Sequence, residues 1–307
     1  MLLKELTERS PMRVFENSIH GGLGAGNLGV VVARHGMGKT AFLVDIALDD
    51  LLRGRKVLHV TIGRTIEHVR EYYVEIFHDL VQATELESAA EIRREIESHR
   101  QIKSYLKDTF SVEHLRAHIA MMREAMGFVP VAIVIDGYDF EAATTESMKD
   151  LRTIAEMLKC EIWMSAHTHR TDPRDEHGIP EPVAHLTSEL AVIVHMAHDG
   201  KAVNLQVLKD HDNPDVSKLS LAIDPTTMLL RFAGPYLAGL GVALSMLVSL
   251  AVSVCLLQWI VMPRVTAALN PWLHANASGD RVRSTRGLVL LLLLLAGMVL
   301  LFRLVTG

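Results

Sequence analysis

Cysteine is nearly missing from this chain of 307 residues. The two present, Cys160 and Cys255, lie in separate regions, which excludes a disulfide framework or a cysteine-rich zinc site and suits a reducing cytoplasm. An export signal is also missing: Met1 to Met12 carries Lys4, Glu5, Glu8 and Arg9 where an apolar core would stand, so the expected location is cytoplasmic. No basic tract interleaved with aromatics occurs, which counts against a nucleic-acid partner. After residue 232 stand five arginines and one acid, Asp280, leaving 26 basic and 35 acidic residues before it, a net of −9. The field of that acidic part repels a nucleic-acid backbone, although a local basic patch stays open.

Charge itself is missing from Phe232 to Pro263. Tyr236 to Met262 is long enough to cross a bilayer at about 1.5 Å per residue, and Gly287 to Phe302 is a second apolar block that Arg303 could extend by snorkelling. The expectation is therefore a soluble domain over residues 1–232 and a hydrophobic tail over 233–307, with spans at about 236–262 and 287–303. Such a tail would attach the cytoplasmic domain to the inner membrane, with the lipid bilayer as a partner. One conflict accompanies this reading. The connection from Arg264 to Arg286 bears four arginines and should stay on the cytoplasmic side, where the soluble domain must also lie, although one span separates them. Either the domain's bulk overrides the arginines, the first block does not span, or the chain joins two reading frames.

What is present in the soluble part is a phosphate-binding loop. Gly29 to Ala33 reads as a buried strand, and Arg34-His35-Gly36-Met37-Gly38-Lys39-Thr40-Ala41 follows it into a helix. Small residues let the backbone N–H groups curl toward phosphates, Lys39 reaches the terminal phosphates, and the Thr40 hydroxyl suits magnesium. The helix adds the positive end of its dipole. The first of the eight loop positions, ordinarily Gly, is Ala33. ATP and Mg2+ are the expected cofactors, with residues 34–41 as the binding set.

A second element of the site is the apolar strand Val129 to Asp136, which ends in a carboxylate where open α/β sheets bind ligands; Asp136 can hold magnesium through water beside Thr40. A third is Ala166-His167-Thr168-His169-Arg170 after the strand Glu161 to Ser165, with His167 the candidate nucleotide sensor. His167 and His169 are poor candidates for a metal site, because further ligands at suitable spacing are missing. Between these elements the patterning predicts a short strand over Arg13 to Asn17, a strand over Lys56 to Ile62, helical regions over Ile66 to Leu80 and Glu85 to Leu106, and helices Ser111 to Met126 and Ser147 to Leu158. Two late hairpins are predicted, Ala191 to Ala197 with Ala202 to Lys209, and Lys218 to Ile223 with Met228 to Phe232. Strands alternating with helices imply a mainly parallel sheet flanked by helices.

Roughly from Val14 to Phe232 the chain resembles the RecA-like P-loop ATPases, in particular the KaiC and DnaB-helicase branch. The resemblance rests on Gly21-Gly22-Leu23, Ala33 to Thr40, Val57 to Ile62, Ile133 to Asp136, Ser165-Ala166-His167 and Leu205 to His211. It implies an α/β RecA-like fold, ATP bound between neighbouring subunits of a homo-oligomer, and basic fingers reaching the neighbour's site from the last segment. Lys209 matches the finger lysine, and His211 replaces the finger arginine. The family's water-activating Glu matches Gly63, followed by Arg64, and Gly137 stands where other P-loop enzymes carry an acid after Asp136. Asp139 and Glu67 are the candidate substitutes. The tail is similar to the membrane extension of antibiotic-biosynthesis-monooxygenase-like proteins, through Trp259 to Arg264 and Pro271-Trp272-Leu273.

Together these readings give Lys39, Asp136, His167, Lys209 and His211 as the catalytic set, and a slow Mg-dependent ATPase acting as an oligomeric regulatory switch as the expected function. The alternatives are a nucleic-acid-stimulated helicase or recombination motor, and a non-hydrolysing module that ATP gates.

Overall fold

The computed structural model describes residues 2–223 apart from residues 10, 20, 170–171, 199–202, 214–215 and 217–219. The chain divides into two compact units, Met1–Gly234 and Pro235–Gly307, and the described residues lie in the first. An eight-stranded sheet is its centre. In chain order the strands are β1 (Leu28–Ala33), β2 (Val57–Ile62), β3 (Arg100–Tyr105), β4 (Ala132–Asp136), β5 (Glu161–His167), β6 (Val192–His198), β7 (Val203–Asp210) and β8 (Ser220–Ile223), and across the sheet they run β3-β2-β4-β5-β1-β6-β7-β8.

The apolar runs of β1, β2 and β4 are buried from end to end, as strands covered on both faces must be. Alternation along β1 separates two cores: Val31 and Ala33 face one, and Val30 and Val32 the other. The first core is closed by α1 (Leu3–Arg9), α2 (Pro11–Ser18), α3 (Lys39–Leu52), α4 (Ile66–Thr84) and α5 (Ala89–His99). The second is closed by α6 (Val112–Met126) and α7 (Thr145–Leu158), capped by Ser111 and Thr144. Gly29 is fixed by packing, because a Cβ there would lie 2.7 Å from the indole ring of its cross-strand partner Trp163.

The sheet is mainly parallel, as expected: β3, β2, β4, β5, β1 and β6 are parallel, and β7 pairs antiparallel with both β6 and β8. The pairing of β6 with β7 is the expected hairpin, since a short connection can join only antiparallel neighbours. The expected fold class needs one correction: the described fold does not contain the expected transmembrane helices, since among the described residues no helix is long and apolar enough to cross a membrane. The 19-residue α4 has the length, but Glu67, Arg70, Glu71, Glu75 and Asp79 interrupt it. The stretches 236–262 and 287–303 themselves lie outside the described residues, as does the strand expected over Met228 to Phe232.

Two local expectations also change. Arg13 to Asn17 is helical, part of α2: Pro11 suits a first helical position, and Phe15 packs edge-on to Phe42 at 5.4 Å between ring centres. The helix expected through Leu106 stops at His99, and residues 100–105 form β3, an edge strand paired in parallel with β2. Arg100 and Lys103 mask it in the sequence, because an edge strand tolerates charge and half-exposure that an inner strand does not.

Candidate functional site

The loop expected to bind phosphate sits where β1 ends and α3 begins. Gly36 and Gly38 both adopt left-handed backbone angles, φ 75° and 81°, which glycine allows without strain. Gly38 is also the N-cap of α3 and brings no side chain to cap it, so the first amides of the helix face the loop. Within the loop Lys39 folds inward, its Nζ donating to the Ala33 carbonyl at 2.9 Å and the Arg34 carbonyl at 3.0 Å. Partial burial lowers its pKa, and the nearby Arg64 charge lowers it further, while Asp136 opposes both. Arg34, His35 and Gly36 are exposed, and Ala41 is buried under the loop.

Asp136, at the end of β4 and 5% exposed, meets this loop from two strands away in the same sheet. The Thr40 hydroxyl donates to Asp136 Oδ2 at 2.7 Å, and the Ser165 hydroxyl donates to Asp136 Oδ1 at 2.7 Å. Ser165 in turn accepts the Gly137 N–H at 2.8 Å. The carboxylate is thus held on both oxygens, facing the hydroxyl that the sequence pairs with it. Ser165 was no site candidate in the sequence, yet it positions Asp136. Its signal is a lone hydroxyl in the buried strand Ile162-Trp163-Met164-Ser165-Ala166, one register step beyond the pair Ile135 and Met164.

His167 ends β5, directly beside Ala33 of the loop in the strand register. Its ring stands 6.2 Å from that of His35 and 4.6 Å from that of His169. Partial desolvation lowers the His167 pKa, and the charges of Lys39, His169 and His35 act in the same direction, against Asp172. Asp172 accepts from Thr168 Oγ1 at 2.7 Å and from the His169 N–H at 2.5 Å. Farther along the same end of the sheet, Arg174 contacts His195 at 3.2 Å, and burial followed by Arg174 and Arg34 lowers the His195 pKa to about 4. Among the described residues no group of three or more His, Cys, Asp or Glu side chains is placed to hold a metal ion.

The two positions at which the sequence departs from the resembled pattern are both glycines with left-handed backbone angles. Gly137 has φ 87°, and a Cβ there would lie 2.7 Å from the Ile62 carbonyl oxygen, so no carboxylate fits after Asp136. Gly63 has φ 78°, and a Cβ there would meet the Lys107 side chain at 3.3 Å. A basic side chain therefore borders the place of the water-activating Glu, and Arg64 next to it contacts His68 at 2.7 Å. Of the candidate substitutes, Asp139 is turned into its own loop, accepting the Glu141 and Ala142 N–H groups at 3.1 and 3.2 Å. Glu67 is an exposed residue of the first turn of α4.

Lys209 and His211 stand at the other end of the sheet. Lys209 pairs with Ile193, level with Val30, and His211 binds the Ala191 carbonyl, level with Leu28, so at about 3.3 Å per residue they lie about 10 and 17 Å along the strand direction from Ala33 and two strands or more to its side. Lys209 Nζ donates to the Thr187 carbonyl at 2.7 Å and the Leu190 carbonyl at 2.6 Å, closing the 3-10 helix Ala184–Glu189. The His211 ring contacts the Leu23 carbonyl at 3.1 Å and Asp210 at 2.8 Å. The structure thus brings together Lys39, Thr40, Asp136 and His167, and separates Lys209 and His211 from them.

Comparison with known proteins reaches the other end of the chain. Residues 219–273 match the model of the Y2318 C-terminal domain, a match that begins at β8 and runs past residue 232. Over 80 residues the chain is 48% identical to an uncharacterized protein of Synechococcus elongatus. That stretch is 25% of this chain and 38% of the relative, so the chain spans little more than a third of the length of the relative it matches.

Proposed function

We propose that the first unit binds ATP with magnesium in a RecA-like P-loop site and acts as an oligomeric switch with slow turnover. The observation that carries this reading is the 2.7 Å bond between Thr40 and Asp136, which joins the loop to the strand-end carboxylate. A hydroxyl and a carboxylate in contact form an oxygen donor pair suited to magnesium, which keeps most of its waters and takes few protein ligands. Bound there, the ion would neutralise phosphate charge. Lys39 would leave two carbonyls of its own loop for the terminal phosphates, and Ser165 would keep Asp136 oriented.

A non-hydrolysing, nucleotide-gated module is the second reading, and Gly63 and Gly137 favour it. Both have left-handed angles and are hemmed in by Lys107 or Ile62, which removes the positions from which a carboxylate would activate water. A finger role for Lys209 toward a neighbour's nucleotide would require it to release Thr187 and Leu190.

The deciding experiment measures ATP binding and phosphate release by the full chain with magnesium, beside Lys39→Ala and with or without single-stranded nucleic acid. The expected result is Lys39-dependent binding and turnover far slower than about 1 per second, the lower edge of ordinary enzyme rates. Binding without release would favour the gated module. Stimulation by nucleic acid would favour a motor, and binding unaffected by Lys39→Ala would remove the P-loop reading.

A further inference from the structure

Three imidazoles surround one side of the phosphate loop, and the proposed chemistry so far uses only one. His35 belongs to the loop itself, His167 ends β5 next to Ala33, and His169 follows two residues later. Their rings are linked edge to face at 6.2 and 4.6 Å, and His35 and His169 are exposed together with His167 at the carboxyl end of the sheet. Lys39, whose charge His167 feels, comes from the start of α3; Asp172 is the acid facing the group. No ion need explain the cluster, since no metal-holding group occurs among the described residues. An anion is the complementary ligand.

We propose that the ring cluster of His35, His167 and His169 selects a nucleoside triphosphate over a diphosphate, His167 taking up a proton when the terminal phosphate arrives. The inference rests on the nucleotide-binding reading above. Its logic is charge balance. Without ligand, partial desolvation first, then Lys39 and the two other imidazoles, oppose the charging of His167, and a single carboxylate, Asp172, favours it. A terminal phosphate carries about two negative charges near neutral pH, as a phosphate monoester does, and reverses the field at the rings. The proton comes from solvent and rests on an imidazole nitrogen; no covalent bond to phosphorus forms or breaks. A diphosphate reaches the loop but ends short of the rings, so it draws little or no proton. By linkage, triphosphate affinity then rises as pH falls, while diphosphate affinity changes less.

Calorimetry of the full chain in buffers of different ionisation enthalpy tests this, because the slope of the binding heat counts protons directly. The titrants are ATP and ADP with excess magnesium, for the unaltered chain, a His35→Asn/His167→Asn/His169→Asn variant, and His167→Asn alone. The expected uptake near neutral pH is about half a proton to one proton for ATP and clearly less for ADP. The triple variant abolishes the difference, and the ligand's own protonation cancels between the two proteins. If the triple variant does not fold, His167→Asn must lower the ATP-linked uptake by at least about half, since the ring at the strand end is the one most crowded by charge. Equal uptake for ATP and ADP, or uptake that survives the substitutions, overturns the proposal while leaving nucleotide binding intact. Failure of both nucleotides to bind overturns the P-loop reading and this inference with it.

Discussion

A single glycine shows how the site's limits are built. Gly137 follows the strand-end carboxylate Asp136, holds φ 87° and would press a Cβ to 2.7 Å from the Ile62 carbonyl. Gly137→Ala should therefore cost about 2–4 kcal/mol, more than the roughly 1 kcal/mol of left-handed strain alone, because backbone must move. Chemical denaturation measures it, and a loss under about 1 kcal/mol would show that β2 and β4 can part there. The sequence reveals that Gly137 stands where an acid is often found. Only the approach of a neighbouring strand's carbonyl reveals why nothing larger fits.

Among elements, the hairpin of β6 and β7 is the one whose fate differs most from its sequence signal. The family resemblance directs Lys209 outward to a neighbour, but in this fold Lys209 turns inward and holds two carbonyls at the end of the 3-10 helix. Lys209→Met keeps the stem and removes the donor. It should destabilise the domain by about 1–3 kcal/mol, the loss of two charge-assisted hydrogen bonds to half-buried carbonyls. Thermal unfolding would register this, and an unchanged midpoint together with lost turnover would instead assign Lys209 to a neighbour's site. The edge strand β3 teaches the converse lesson: its charged residues read as the end of a helix, and its hydrogen bonds to β2 make it a strand.

At the scale of the whole molecule, charge is divided between the two ends of the sheet. The carboxyl end gathers Arg34, Lys39, Arg64 and the histidines. The amino end gathers acids, Glu16, Asp49, Asp50 and Glu161, around a small cavity also lined by Phe15 and Trp163. Arginines answer most of them: Asp49 pairs with Arg13 and Arg53, Arg53 reaches Glu16 at 3.1 Å, and Asp50 pairs with Arg55 at 2.9 Å. Glu161 is the exception, and desolvation, reinforced by Asp50 and Glu16, pushes its pKa from 4.5 up to about 8. The folded protein thus keeps a proton that the unfolded chain gives up above pH 4.5, so Glu161 withdraws stability as pH rises from there to about 8, and then no further. Glu161→Gln should be more stable than the unaltered chain by about 2 kcal/mol near neutral pH, and equal to it below the ordinary carboxylate range. Denaturation across that window measures the gap, and a gap independent of pH would place the effect in packing.

The sequence by itself determined the glycine-bearing turn from β1 into α3, the apolar strand that ends in Asp136, and the alternation that stacks helices on a mainly parallel sheet. Each is local: a run of small residues, an unbroken apolar segment, a period of two or 3.6. Tertiary structure decided what depends on residues far apart in the chain. Ser165 joins Asp136 across 29 positions, and no spacing rule predicts that bond, whereas the meeting of Asp136 with Thr40 across 96 positions is expected from the sequence. Pairing also decided that residues 100–105 are a strand, because strand identity at an edge is conferred by the neighbour's hydrogen bonds more than by the segment's own residues.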